Sequence, residues 1–308
     1  MDIFTHGITG VLISRALPSG SKRSIMAAGL IGALAPDLDV AARLWDPMAA
    51  ITVHRIGTHS FFGGAIVTLA VAGLVWGFSR EKFLRLFGIA YLGLLSHIGL
   101  DILTPFGTAM LWPLTNRRFA LAQHYLIDPI FSALALGFLV ATFWLKERRT
   151  SLTKIGLLGI VMYVLVTGVH QRMAFSRWQG FMESQGIKLI RSVILPLFPG
   201  PFRWLGVLET EETFYQHDFW LYGSSPGPPH LFSKTNGDLG ELEQLGEVQL
   251  FLKFARFPWR RELSEDSFRI VEYRDLAFAD HPMGGPLALR IWVDGSNSVR
   301  KVEFGHLF

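Results

Sequence analysis

Leu84-Arg85-Leu86-Phe87-Gly88-Ile89-Ala90-Tyr91-Leu92-Gly93-Leu94-Leu95-Ser96-His97-Ile98-Gly99-Leu100-Asp101-Ile102-Leu103 carries one charge near each end and is otherwise almost wholly apolar. As a helix this run rises about 30 Å, the thickness of a bilayer's hydrocarbon, and it therefore reads as a membrane span. His97 and Asp101 are four positions apart, so both side chains lie on one face, one turn from each other. Each costs roughly 3 kcal/mol in such a run if left unpartnered. A divalent cation bound by imidazole and carboxylate together offsets that cost, and the pair reads as half of a metal site.

The neighbouring sequence is of the same kind. Residues 61–79, 126–145 and 152–170 are further spans, nearly free of charge, and Pro129 is placed where a helix start tolerates it. Residues 5–17 and 24–36 are shorter, about 20 Å each, and are expected as half-depth helices joined through Leu17-Pro18-Ser19-Gly20-Ser21-Lys22-Arg23. In the whole chain of 308 residues, half are hydrophobic and 18% charged, too apolar for an average soluble protein. The net charge of +4 comes from short basic clusters between apolar runs. That is the signature of membrane topology and argues against a nucleic-acid partner, which would need a continuous basic stripe. With no cysteine, a disulfide framework and thiolate ligation are both excluded, so a metal must be held by His, Asp and Glu. The start, MDIFTHGITG, lacks the basic region of a signal peptide, and no residue is set aside as cleaved.

Orientation follows from Lys and Arg. If six segments alternate, Arg15, Lys22, Arg23, Arg80, Lys82, Arg85, Lys146, Arg148, Arg149 and Lys154 lie on one side, and only Arg43, Arg55, Arg117 and Arg118 on the other. The richer side is assigned to the cytoplasm. His6, His54, His59, His97 and His124, with Asp37, Asp39, Asp101 and Asp128, then all fall at the outward ends, whereas Glu81 and Glu147 fall in cytoplasmic loops. One site at the extracytoplasmic surface is expected.

After Arg172 the pattern changes to period two, over 212–222, 248–257, 268–278 and 287–304, the last broken at Asp294-Gly295. Turn-rich segments 224–229 and 283–286 separate these runs. The expected architecture is an all-α membrane domain of about six helices, two of them short, over 1–172, then an interfacial helical linker over 173–199. A small, mostly antiparallel β domain over 200–308 completes it, lying outside the membrane and facing the site.

Asp37 and Asp39 follow a helix, where the negative end of the dipole disfavours carboxylates, so a metal or Arg43 must compensate. Both could bridge ions, or Asp37 could bind while Asp39 orients a histidine. His54 and His59 are five apart, so Gly57 is read as a bend that lets them converge, and Arg55 between them suits a phosphate. His124 and Asp128 repeat the His97–Asp101 spacing. Nine candidate ligands result: His6, Asp37, Asp39, His54, His59, His97, Asp101, His124 and Asp128. Nitrogen and oxygen donors without sulphur suit zinc best, with manganese or iron as alternatives, and nine donors exceed the need of one tetrahedral ion, giving two or three ions. Trp112-Pro113 and Asn116-Arg117-Arg118 are placed to line a substrate entrance, with an ordinary solvated loop as the alternative for Arg117 and Arg118. His170, His217, His230, His281 and His306 show no paired spacing and read as ordinary surface or core residues.

Thr5-His6, Pro36-Asp37-Leu38-Asp39, His54-Arg55, Thr58-His59-Ser60, Ser96-His97 through Asp101, and Trp112-Pro113, in this order, resemble the motifs of the YdjM-type inner-membrane metal-dependent hydrolases of bacteria, over residues 1–145. More distantly, the order of the histidines and aspartates is similar to the ligand order of the zinc-dependent phospholipase C fold, shared with a single-strand nuclease, where three zinc ions hydrolyse phosphate esters. That likeness makes His6, Asp37, His54 or His59, His97, Asp101, His124 and Asp128 ligands. The sequence departs from it in two places: the residue that supplies an amine ligand has no counterpart behind Met1, and 102–110 contains no histidine.

The resemblance implies a multi-pass hydrolase of the bacterial inner membrane, acting on a phosphoester or membrane lipid through a metal-activated water. Asp37 or Asp39 would serve as base, and Arg55 would stabilise the developing charge. Two other classes compete. A metal or proton transporter predicts ligands spread through the membrane depth. A non-catalytic membrane adaptor predicts a fully caged structural metal and a sheet domain that binds a partner.

Overall fold

The computed structural model describes residues 1–17, 22–46, 48–188, 190–223, 227–234, 240–265, 267–278 and 287–305. It divides into two compact units, one of 1–44, 52–173 and 196–203, the other of 45–51, 174–195 and 204–308. In chain order the helices are α1 (Ile3–Ala16), α2 (Arg23–Leu34), α3 (Ala49–Thr52), α4 (Phe61–Gly77), α5 (Phe83–Ile102), α6 (Pro129–Trp144) and α7 (Arg149–Ser184).

Caps fix where several of them start. Asp2 accepts the amide of Thr5 at 3.0 Å ahead of α1, Ser60 accepts that of Gly63 at 2.9 Å ahead of α4, and Asp128 precedes Pro129 in the first turn of α6. The Asp128 cap trims the start of the expected 126–145 span, whereas α4 keeps the expected start at 61 and ends two residues early, at Gly77. α4 and α6 have 17 and 16 residues, short of the 19 and 20 read from hydropathy. The half-depth helix expected at 24–36 is corrected in the other direction. α2 runs on as a 3-10 helix, Ala35–Leu44, and the 22 residues together are long and apolar enough to cross a bilayer. Phe83–Ile102 and Lys146–Ser184 also meet that condition.

α2, α4 and α5 pack through Ile25, Ala28, Ala72, Val75, Leu86 and Ile89. α2 and α5 approach to backbone contact. A Cβ built on Gly93 would stand 2.5 Å from the carbonyl oxygen of Gly29, so only glycine fits there. Away from these contacts, Ile66, Leu74, Leu136, Leu158 and Leu165 turn large apolar side chains outward, as helices surrounded by lipid do.

Apart from 45–51, the second unit is drawn from the chain after residue 173, inside α7, whose 36 residues rise roughly 54 Å. Residues 173–199, expected as one interfacial helix, are helical only to Ser184 and then form β1 (Arg191–Leu197), where the branched Val193 and Ile194 favour a strand. The sheet region therefore starts before residue 200. Strands β1, β2 (Arg203–Glu209), β3 (Thr213–Trp220) and β4 (His230–Ser233) form one four-stranded sheet. β5 (Pro258–Glu265), β6 (Phe268–Asp275), β7 (Ala288–Val293) and β8 (Val299–Phe304) form another, antiparallel throughout. The expected break at Asp294-Gly295 is the β7–β8 turn, where the Asp294 carboxylate accepts the amides of Ser296 and Ser298.

One expected strand, 248–257, is instead mostly a helix, α8 (Gly246–Phe254). Val248 and Phe251, three apart, form its buried side, a helical spacing that a short apolar run does not distinguish from alternation. Of the expected turns, 224–226 and 283–286 lie outside the described residues, as do His281 and His306. Trp178 of α7 is completely buried with Trp204, Ile194, Leu208 and Phe219, and its indole donates to Ser192 at 3.0 Å.

Candidate metal centre

Four segments of the first unit deliver side chains to one place. The first turns of α1 bring His6, and the 3-10 helix after α2 brings Asp37 and Asp39 while Leu38 between them faces out. The loop before α4 brings His54, Arg55 and His59, and the last turns of α5 bring His97 and Asp101. Seven of the nine expected ligands are thus neighbours. The His6 and His97 rings stack at 3.8 Å, and His59 lies edge-on to His97 at 4.7 Å and to His54 at 4.9 Å.

His97 donates from Nδ1 to the carbonyl of Ala33 at 2.7 Å, which leaves the lone pair of Nε2 aimed at the cluster. That atom is buried, has no hydrogen-bond partner, and stands 3.3 Å from Asp101 Oδ2 and 3.5 Å from Asp37 Oδ1. Asp101 Oδ2 is likewise buried without a partner, as is His6 Nδ1. His59 Nε2 is 3.3 Å from Asp37 Oδ1 and 3.6 Å from Asp101 Oδ2. Buried polar atoms left unsatisfied at a shared point are suited to hold a cation. Three overlapping sets have ligand atoms within 4.8 Å of one another: His6, Asp37 and His97; Asp37, His54 and His59; His59, His97 and Asp101. The donors are all nitrogen and oxygen, which fits a divalent ion such as zinc.

Asp39 is used differently from Asp37. Its Oδ1 pairs with His54 Nδ1 at 2.6 Å, and its Oδ2 accepts from Thr58 Oγ1 at 2.6 Å and lies 3.2 Å from His59 Nδ1. It orients two imidazoles at once, one of the two roles open to it from sequence. Burial lowers the pKa of His54 despite Asp39. For His59 burial also acts downward, but its hydrogen bonds to Asp37 and Asp39 outweigh it and the pKa is raised.

Arg55 is 3% exposed and turned inward. Its Nη2 pairs with Asp101 Oδ1 at 3.0 Å and its Nη1 donates to Thr104 Oγ1 at 2.7 Å. The Met1 amine also donates to Asp101 Oδ1. Arg55 adopts φ 65°, a left-handed conformation that costs a residue with a side chain about 1–3 kcal/mol and is held here by the amide of Ala109 donating to its carbonyl at 2.9 Å.

His124 and Asp128 are not brought to this cluster. His124 Nδ1 pairs with Asp128 Oδ2 at 2.9 Å and its Nε2 with Thr167 Oγ1 at 2.9 Å. Asp128 Oδ1 caps α6 through the amides of Ile130 and Phe131, and the Tyr163 hydroxyl donates to both carboxylate oxygens. The matched spacing encodes a helix cap and an α6–α7 brace. Of three further participants around the cluster, Thr104 went unread in the sequence, Thr58 was read only as part of a motif, and the Met1 amine, set aside there, reaches Asp101. Thr58 had a signal, since it sits beside His59. Arg118, left open as entrance or solvated loop, donates from Nη2 to the His54 carbonyl at 3.0 Å.

The family model described as YdjM inner membrane protein matches residues 1–174. Among curated relatives, the uncharacterized protein YfhP of Bacillus subtilis (strain 168) is 23% identical over 225 residues, covering 70% of this chain and 67% of that protein. No solved structure matches, and the likeness to phospholipase C stays an expectation from sequence. The matched segment contains every residue of the His/Asp cluster and the helices that carry it, and the chain belongs to the YdjM inner membrane protein family.

Proposed function

We propose that the chain is a membrane-bound metal-dependent hydrolase whose centre is the cluster of His6, Asp37, His54, His59, His97 and Asp101, with a phosphoester or lipid-type molecule as substrate. The observation that carries this is the set of buried, unsatisfied ligand atoms, His97 Nε2 and Asp101 Oδ2, converging with His59 and Asp37 within metal-binding range. His59, His97, Asp37 and Asp101 would hold an ion, with His6 and His54 extending the donor set to a second. A divalent cation such as zinc supplies Lewis acidity there and lowers the pKa of water to about 7.

The chain's own groups do the rest. Asp39 holds His54 and His59 in orientation, and Arg55 fixes Asp101 against rotation. Asp37 is 22% exposed where Asp39 and Asp101 are 5% and 1%, so it is the carboxylate that can reach an incoming water and take its proton. The ten basic residues expected at the opposite helix ends support a centre on the extracytoplasmic side. Transport is disfavoured by the depth profile: residues 23–34, 61–77, 83–96 and 129–144 contain no His, Asp or Glu to relay an ion inward.

The test is elemental analysis of detergent-purified protein, followed by a panel of phosphodiesters and lipids with and without chelator. His97→Ala should lose both metal and hydrolysis. Full metal stoichiometry in that variant, or hydrolysis indifferent to chelator, overturns the reading.

A further inference from the structure

The geometry points to Arg118 as the substrate-positioning residue of this centre, recognising an oxyanion, of the phosphate-ester class, beside the His/Asp cluster. The inference rests on the hydrolase reading and gives it a substrate chemistry. The loop from Thr104 to Phe119 is folded back onto the His54–His59 segment by main-chain bonds. Thr108 and Phe119 exchange amide-to-carbonyl bonds at 3.0 Å in both directions, Ala109 bonds Arg55, and the Phe61 amide donates to Met110 at 3.0 Å. Gly107, just before the Thr108–Phe119 pair, sits at φ +71°, with the Arg118 Cβ only 3.1 Å from where its own Cβ would be. The loop therefore holds Arg118 against the His54–His59 segment, with its Nη2 donating to the His54 carbonyl. Arg117, adjacent in sequence, is exposed and lies over the Phe119 ring instead.

Charge supplies the second strand of the argument. Arg55 is committed to Asp101, and Arg118 adds a second guanidinium within electrostatic reach of both Arg55 and Asp39. Asp37, Asp39 and Asp101 face these two guanidiniums and the Met1 amine. A divalent ion then leaves the centre net positive, and an anion is the ligand that restores balance. A planar guanidinium is suited to it, since parallel N–H groups match the oxygens of a phosphate.

The experiment uses full-length zinc-loaded protein in detergent, titrated with inorganic phosphate and separately with short-chain phosphatidylglycerol, and compares wild type with Arg118→Ala and Arg117→Ala. At least one titrant is expected to bind about 10-fold more weakly to Arg118→Ala, with Arg117→Ala unchanged and zinc content equal in all three. Loss confined to phosphatidylglycerol assigns a lipid headgroup, and loss of phosphate binding assigns a soluble phosphoester, each supporting the proposal. Equal affinities in wild type and Arg118→Ala, including no binding by either, overturn it. So does equal weakening in Arg117→Ala, which reports surface charge alone. Arg118-dependent phosphate binding by a protein that hydrolyses nothing would keep the anion site and discard the hydrolase.

Discussion

Gly93→Ala tests whether the α2–α5 contact positions His97. The new methyl would lie 2.5 Å from the Gly29 carbonyl oxygen and 2.9 Å from the Ala33 amide nitrogen, both backbone atoms that cannot rotate away. Ordinary contact needs about 3.5 Å, so the helices must separate by about 1 Å. His97 is one turn further along α5 and holds Ala33 at 2.7 Å, a bond that such a separation stretches beyond hydrogen-bonding range. Overpacking of this kind costs about 1–3 kcal/mol, and losing an orienting hydrogen bond to a ligand costs roughly 10- to 100-fold in metal affinity. Zinc titration against a competing chelator gives the affinity, and melting of the metal-free protein gives the stability. Gly99→Ala is the control, two residues past His97 with nothing within 4 Å of its new methyl. It should bind zinc within about twofold of wild type and gain up to about 1 kcal/mol in helix propensity. Wild-type zinc affinity in a folded Gly93→Ala protein would refute the link between the helix contact and the ligand.

Asp128→Ala should cost about 2 kcal/mol in melting experiments, through loss of the α6 cap and of the partners of His124 and Tyr163, while zinc stoichiometry stays unchanged. A fall in bound zinc would return this pair to the metal centre. In the sheet region, the buried Glu272 carboxylate meets Arg261 at 2.9 Å, Arg274 and Arg290. Burial acts to raise its pKa, but the hydrogen bonds from Arg274 and Arg261 win and hold it below the usual glutamate range. Its contribution is therefore present above the unfolded pKa and lost as pH falls through the lower folded value. Glu272→Gln should destabilise by about 1–3 kcal/mol near neutrality and flatten the acid limb of a tryptophan-fluorescence melting series, and an unaltered acid limb would contradict the pairing.

The membrane half was legible because long uncharged runs have few other uses, and the His/Asp positions of four helix ends were legible because such residues are costly there. Helix ends were less so, since Asp128 delays the start of α6 by capping, which hydropathy does not register. Asp128 before Pro129 was itself a capping signal. Identical spacing at His97–Asp101 and His124–Asp128 concealed opposite outcomes, because spacing fixes which side chains meet but not whether a third group answers them. The β1 strand was hidden by Lys188 and Arg191, which lend an amphipathic look to a segment that pairs as sheet. β5 escaped because Arg260, Arg261 and Glu262, charged residues in succession on both its faces, blur the alternation. The role of Arg55 needed coordinates, since whether it reaches outward to a substrate or inward to Asp101 depends on a single left-handed residue.

Every imidazole and carboxylate of the cluster lies at or before position 101. During synthesis the donor set is complete while α6, α7 and both sheets have yet to be translated. An ion captured at that stage favours the assembled early helices by about 2.7 kcal/mol when its free concentration is 100-fold above the dissociation constant. Metal supply would then act on biogenesis as well as on turnover, and starvation for the ion would be felt first by nascent chains.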